Sequence, residues 1–207
     1  MSNLCKRVGL VHELAQLAGS EEGIDNGAES LGIGKQVTKA NEIADIVIVS
    51  IHWGTEDSHK VNDEQRAYAK LIADCGGDVI LGHHPHVVQS VEWIEGEGGN
   101  KTLCYYSLGN GLNAQDYLKN MVGITASFDI VKDKDGTRIE NASCIPTFNV
   151  MTSGYKNIKL ILLSELTDDI AGRHHSNSKD SKKVTVERAY NIIKDNINTE
   201  FLPDYLK

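Results

Sequence analysis

Two short apolar runs bracket a well-marked helix, and each run ends at a histidine. Residues 45–51 (DIVIVSI) lead into His52-Trp53-Gly54, and residues 78–81 (DVIL) lead into Gly82-His83-His84-Pro85-His86. Both runs are apolar on successive residues, the pattern of strands buried on both faces of a parallel sheet. Between them Asn62 stands three residues before Gln65, as in a capping box. Tyr68, Leu71, Ile72 and Cys75 then line one helical face, and Gly76-Gly77 closes the segment. The two histidine clusters are about thirty residues apart, the length of one strand–helix–strand unit. Such a unit delivers both clusters to the same end of a parallel sheet, where α/β proteins build their sites.

The flanking sequence fills out an α/β fold of layered, mixed sheet. Residues 8–18 carry Val8, Val11, Leu14 and Leu17 at helical spacing and predict a short amphipathic helix with His12 on its surface. Residues 19–34, with five glycines and several acids, read as a loop. Val37, Ala40, Ile43 and Ala44 predict a helix over residues 35–44 that enters the first strand. Beyond the histidines the residues 87–94, 101–107, 121–131, 137–150 and 158–163 read as strands. Those at 121–131 and 137–150 form a hairpin across Asp135-Gly136. Residues 167–183 are polar and read as a mobile loop, and 184–197 as a terminal helix. The expected division is an N-terminal helix and loop (1–34), a core (35–165), and a polar loop with a C-terminal helix (166–207).

Composition narrows the function classes. Twenty-nine acids against 21 bases give a net charge of −8, with no dense basic block, which disfavours a nucleic-acid binder. The apolar runs are short and the N-terminus has no apolar signal core, so no membrane segment is expected in this chain. Cys5, Cys75, Cys104 and Cys144 form no C-x-x-C pair and read as reduced thiols buried in strands or on a helix face. They do not settle the compartment. No G-x-S-x-G elbow occurs, and Gly32-Ile33-Gly34-Lys35 lacks the spacing of a phosphate loop. Metal-activated water is therefore the better mechanism for an enzyme of this sequence.

Imidazoles converging with oxygen ligands suit Zn, Mn or Fe. His52 and His83 are expected on adjacent strand tips facing one cavity, and His86 returns to it after the bend at Pro85. Glu56, four residues after His52, reads either as a ligand-orienting or proton-transferring carboxylate or as a solvated loop acid. Asn110, in Ser107-Leu108-Gly109-Asn110, reads either as a phosphate or metal contact or as a simple turn asparagine. His59 is expected to be solvated, and His174-His175 to lie on the surface.

Taken in order, Asp45 to Glu56 (DIVIVSIHWGTE), Gly82 to Gln89 (GHHPHVVQ) and Tyr106 to Asn110 (YSLGN) resemble the bacterial poly-γ-glutamate/capsule synthesis proteins of the CapA type. That family looks like a branch of the calcineurin-like metallophosphoesterases. The resemblance implies a layered mixed β-sheet of metallophosphoesterase-like type with divalent metal ions at the strand ends. It implies His52, His83 and His86 as metal ligands, His52, Glu56 and Asn110 as the catalytic set, and His84 and Asn110 as substrate contacts. Gly111 replaces the aromatic usual after that asparagine. The early strand ending in Gly-Asp and the Asn-Asn-His motif of the family do not occur, so the chain resembles the C-terminal half, with the fold incomplete at its N-terminal half. The implied centre is dinuclear in the full-length protein, and weak or absent turnover is expected of this chain. Full-length relatives are expected to be membrane-anchored and extracytoplasmic. The implied function is that of a hydrolase acting on a phosphoester or a related bond, alongside the capsule/poly-γ-glutamate synthesis machinery. The alternative is a non-catalytic structural or polymer-binding component of that machinery. A homo-oligomer is expected, because half a sheet would leave a strand edge to pair.

Overall fold

Side-chain alternation along the strands of the first sheet decides the layering of the whole molecule. The computed structural model describes residues 8–13 and 26–207, with side chains from Gly32 onward. In chain order the elements are β1 (Val8–Glu13), α1 (Asn26–Asn41), β2 (Ile46–His52), α2 (Asp63–Asp74), β3 (Val79–His83), β4 (Val91–Glu95) and β5 (Lys101–Tyr105). Then come α3 (Leu118–Met121), β6 (Val122–Asp133), β7 (Gly136–Thr152), β8 (Lys156–Leu162), α4 (Asp168–Gly172) and α5 (Val186–Asn196). Five strands form one sheet in the order β1-β2-β3-β5-β4, and three form a second in the order β6-β7-β8. In the first sheet β1, β2, β3 and β5 run parallel and only β4 is antiparallel. This is the α/β layered fold expected from the buried apolar runs.

Successive residues of β3 and β5 face opposite cores. Val79, Leu103 and Tyr105 join the core shared with the second sheet and α5, whereas Ile80, Cys104 and Tyr106 join the core beneath α1 and α2. A strand that buries both faces must be apolar throughout, which is why these runs lack an alternating pattern. The helix over the crossover forms as its signals require: the Asn62 side chain accepts from the Gln65 backbone N–H, and the Gln65 side chain accepts from the Asn62 N–H. Its buried residues, Tyr68, Ala69, Ile72 and Ala73, face the sheet.

One buried contact fixes how closely β3 approaches its neighbours at the site end. The Trp53 indole N–H donates to the Tyr106 carbonyl at 2.8 Å, and the two rings stack with centroids 5.8 Å apart. Gly82 makes room for this bond, since a Cβ there would stand 2.0 Å from the Tyr106 oxygen and 2.6 Å from Trp53 Nε1.

The second sheet is pinned to the first by Tyr105. Its hydroxyl donates to the Ser143 carbonyl at 2.6 Å and lies 3.2 Å from the Ser127 carbonyl, beside the irregularity between Ser127 and Asp129 in the β6–β7 ladder. Burial pushes the phenol up to about 12, so it stays protonated and keeps its donor.

Several expectations from sequence are corrected. Residues 8–13 form a strand pairing parallel with β2 from Val8↔Ile46 to Glu13↔Ile51, not a helix. A short apolar run matches either period, and the free ladder edge of β2 decides the matter here. The rest of that expected helix, residues 14–18, and the expected loop at 19–25 lie outside the described residues, as does Cys5. Residues 26–34 begin α1 instead of continuing a loop. Gly34 costs helix propensity but lets α1 approach α2, since a Cβ would meet Cys75 Sγ at 3.3 Å. Ile33 and Val37 then bury against the sheet. Cys104 and Cys144 are buried free thiols in strands, and Cys75 is a half-buried free thiol that caps α2. Among the described residues no helix is long and apolar enough to cross a membrane.

The polar stretch after residue 166 is ordered, and His174-His175 are buried inside it, not on the surface. His174 donates from Nε2 to the Asn149 carbonyl at 2.9 Å and accepts at Nδ1 from the Ser176 N–H, with its ring edge-on to Phe148. His175 accepts at Nδ1 from the Gly154 N–H, packs on Tyr155 at 4.2 Å, and reaches Asp116 at 3.5 Å. Backbone partners distant in sequence satisfy His174 Nε2 and His175 Nδ1, while the buried His175 Nε2 makes no hydrogen bond and faces Asp116; spacing reveals none of this.

Two predictions follow from this packing. Gly82→Ala is expected to cost about 1–3 kcal/mol in overpacking and to break the Trp53–Tyr106 bond. It should lower the melting temperature by several degrees, at about 2–4 °C per kcal/mol for a chain of this size; an unshifted melt would refute the packing argument. His174 is held below its ordinary pKa mainly by burial. Its neutral form is favoured by folding, so its contribution is complete above about pH 6.5 and is lost as pH falls below it. Comparing melts at pH 7.5 and 5.5, His174→Gln should lose less stability on acidification than the wild type; equal losses would rule this out.

Candidate metal centre

Three parallel strands of the first sheet end at one level, and the loops that leave them make the site. His52 ends β2 opposite His83, which ends β3, and the Trp53 N–H donates to the His83 carbonyl at 3.1 Å. From β5 the chain passes through Ser107 to Asn110, crossing Gly82 where the Leu108 N–H donates to its carbonyl. These are the loops to which sequence assigned His52, Glu56, His83, His84, His86 and Asn110.

Buried amides tie the first two loops together. Gln65, which caps α2, also donates from Nε2 to Gln89 Oε1 at 2.8 Å, and Gln89 Nε2 donates to the Ser58 and Lys60 carbonyls. Both glutamines are fully buried. The Asp57 N–H donates to the Pro85 carbonyl at 2.8 Å. His59, expected in solvent, is half-buried and donates from Nδ1 to the Val88 carbonyl at 2.7 Å. The loop carrying Glu56 is thus laced to the loop carrying His84 and His86.

Those loops also carry backbone strain. His84, His86 and Asp57 have φ of 96°, 60° and 61°, a region that non-glycine residues enter at a cost of order 1–3 kcal/mol each. The tight turn aims two imidazoles one residue apart from Pro85 toward one point. One ligand atom each from Glu56, His84 and His86 lies within 4.8 Å of the others. His52 joins this group through its ring, 4.5 Å from that of His84, while the His84 and His86 rings are 6.1 Å apart. His83 keeps its register position opposite His52 and stands outside the trio. Strand alternation ends within the pair His83-His84, so spacing alone did not say which of the two faces the carboxylate.

Electrostatics favour a neutral His52. His52 is held below its ordinary pKa first by burial and then by His84 and His86, with Glu56 acting in the opposite sense. Neutral imidazole is the form that ligates metal. Two imidazoles and a carboxylate make a nitrogen–oxygen donor set that fits Zn, Mn or Fe.

Asn110 fixes the tautomer of His86. Its Nδ2 donates to Gln115 Oε1 and to the Asn120 carbonyl, so Oδ1 is the acceptor, and His86 Nδ1 must donate to it at 2.9 Å. His86 Nε2 is then the nitrogen left for a cation, as in most metal-binding histidines. Asp57 was not singled out from sequence. Its carboxylate accepts from Asn120 Nδ2 at 2.7 Å and pairs with Lys119 at 3.2 Å, and these contacts, Asn120 first, hold it below the usual carboxylate range. Gln89 sits inside one of the quoted motifs, but nothing local marks Asp57 or Asn120, whose partners are distant in sequence, while Gln115 meets Asn110 within the same turn.

Residues 10–115 match the family described as "Bacterial capsule synthesis protein PGA_cap". The chain is 36% identical over 100 residues to the "PGA biosynthesis protein CapA" of Bacillus subtilis (strain 168), covering 48% of this chain and 25% of that protein. It is 44% identical over 80 residues to the "Capsule biosynthesis protein CapA" of Bacillus anthracis, covering 37% of this chain and 18% of that protein. The matched part therefore spans a quarter or less of the length of these curated relatives. The family match takes in half of the chain and every residue from His52 to Asn110: the chain belongs to the bacterial capsule synthesis protein family PGA_cap.

Proposed function

We propose that this chain carries a metal-dependent hydrolase site of metallophosphoesterase type that acts in capsule or poly-γ-glutamate synthesis. The observation that supports the reading is the convergence of Glu56, His84 and His86 within 4.8 Å on two loops held by buried hydrogen bonds. These three residues would hold a divalent cation, Mn, Zn or Fe. A second cation, as in a dinuclear centre, would draw on His52 and His83, the register-paired histidines beside the trio. When bound, such a cation supplies Lewis acidity and a lowered pKa for water.

The chain's own groups divide the remaining work. Asn110 keeps the Nδ1 proton of His86 in place and so leaves Nε2 as the nitrogen able to ligate. His52, held neutral by burial and by its histidine neighbours, is suited to accept a proton at its free nitrogen. His84, whose ring lies beside those of His52 and His86, would also contact an anionic phosphoester. Glu56 is exposed and contributes the one carboxylate of the trio.

A second reading, a non-catalytic component of the synthesis machinery, is favoured by a different observation. Ile145, Leu160 and Leu162 are exposed on one face of the second sheet, and apolar side chains grouped there suit a protein partner. A net charge of −8 argues against direct binding of a polyanion without bridging cations.

The readings separate by experiment. His86→Ala should lower Mn or Zn affinity by more than the ~10–100-fold typical of residues that only support a ligand. It should also abolish metal-dependent hydrolysis of bis-(p-nitrophenyl) phosphate by the full-length protein. Metal-loaded full-length protein that cleaves neither phosphodiesters nor phosphomonoesters, with capsule output unaffected by His52→Ala/His86→Ala, would favour the non-catalytic reading.

A further inference from the structure

Asn120 lies beyond the residues matched to the family and ten residues past the last motif, yet its hydrogen bonds reach all three site loops. It is buried, with 2% of its surface exposed. Its Nδ2 donates to Asp57 Oδ1 at 2.7 Å and to the His86 carbonyl at 3.3 Å. Its own carbonyl accepts from Asn110 Nδ2 at 3.2 Å and from Asn113 Nδ2 at 3.1 Å. One residue therefore touches the neighbour of Glu56, the backbone of His86, and the asparagine that holds the His86 tautomer.

The base of this hub is rigid. Asn120 belongs to the short helix α3, whose Leu118 and Met121, with Val122 beyond, are buried in the core between the sheets. The loops it holds are strained at Asp57 and at His86 itself, and strained backbone persists where its surroundings over-determine it. The Nδ2 protons go to acceptors on two different loops, so the amide sets the distance between them. A purely structural asparagine would satisfy its own burial; this one satisfies groups on either side of the candidate ligands.

We infer that Asn120 is a positioning residue for the metal centre, holding the Glu56–Asp57 loop against His86 at ligand spacing through Asp57. The inference rests on the metal-site reading above. Asp57 is the more tractable partner, because its side chain is 51% exposed and lies outside the hydrophobic cores.

The test is calorimetric titration of the purified protein with Mn and with Zn, alongside the melting temperature of each metal-free variant. Asp57→Ala and Asn120→Ala are each expected to weaken binding by about 10–100-fold, and their combination should be no worse than Asn120→Ala alone. Asp57→Asn keeps an acceptor for Asn120 Nδ2 and should bind within a few-fold of wild type. Metal-free Asp57→Ala should stay folded and melt only a few degrees below wild type, for the hydrogen bond lost to buried Asn120, so titration well below that melt reads affinity and not loss of fold; should Asn120→Ala fail to fold, the Asp57 pair decides alone. Wild-type affinity in Asp57→Ala, while His86→Ala has lost binding, would overturn the inference and leave the metal site standing. No binding by the wild type, or equal binding by His86→Ala, would overturn both.

Discussion

The parallel pairing of β2 with β3 governs everything at the site. Because His52 and His83 are partners in the ladder, the two strands stop at the same height and their loops begin side by side. A register slip of one residue would turn every side chain of one strand to the opposite core, so the burial of Val47, Val49 and Ile80 in one core and of Val79 in the other, with Ile48 and Leu81 packed against it, enforces the alignment. The hydrophobic layering thus decides, several residues away, where polar groups can meet. Gly82 and the Trp53–Tyr106 bond extend that alignment to β5 and bring the third loop into reach.

Above the strand ends, apolar packing gives way to hydrogen bonds between amides. Gln65 helps to cap a helix and to anchor a loop through one carboxamide, joining local secondary structure to tertiary assembly. Asn110 and Asn120 extend the same logic around His86. Neutral amides serve this purpose well, since they satisfy donors and acceptors in a half-buried region without adding charge beside the imidazoles. The positive-φ residues show that the resulting geometry is not the one the backbone would choose by itself.

Much of this was legible in the sequence where the signal was local. The capping box at Asn62, the two buried strands and the hairpin after Asp135 have short-range patterns, and the structure keeps them. β1 was misread because six residues with two valines satisfy a helical period as well as a strand; only the unpaired edge of β2 distinguishes them. The burial of His174 and His175 depends on Asn149 and Gly154, more than twenty residues away, and has no sequence signature. At the site, the motifs pointed to the loops on which Glu56, His84 and His86 come together. Strand β3 ends at His83, so alternation does not carry over to His84, and the supporting residues Asp57 and Asn120 are defined by partners distant in sequence.

The Tyr105 hydroxyl bears on how the molecule opens. It bridges the central layer to the β6–β7 hairpin at a point where the ladder is already interrupted, and α3 and β6 lead directly from Asn120 into that same hairpin. Separating the sheets would therefore break the tyrosine's bond and draw Asn120 away from the loops together. Fluctuations that expose the inter-sheet core and those that disperse the site should belong to one cooperative unit, so that a bound cation would protect amides of the hairpin from exchange far from its own ligands.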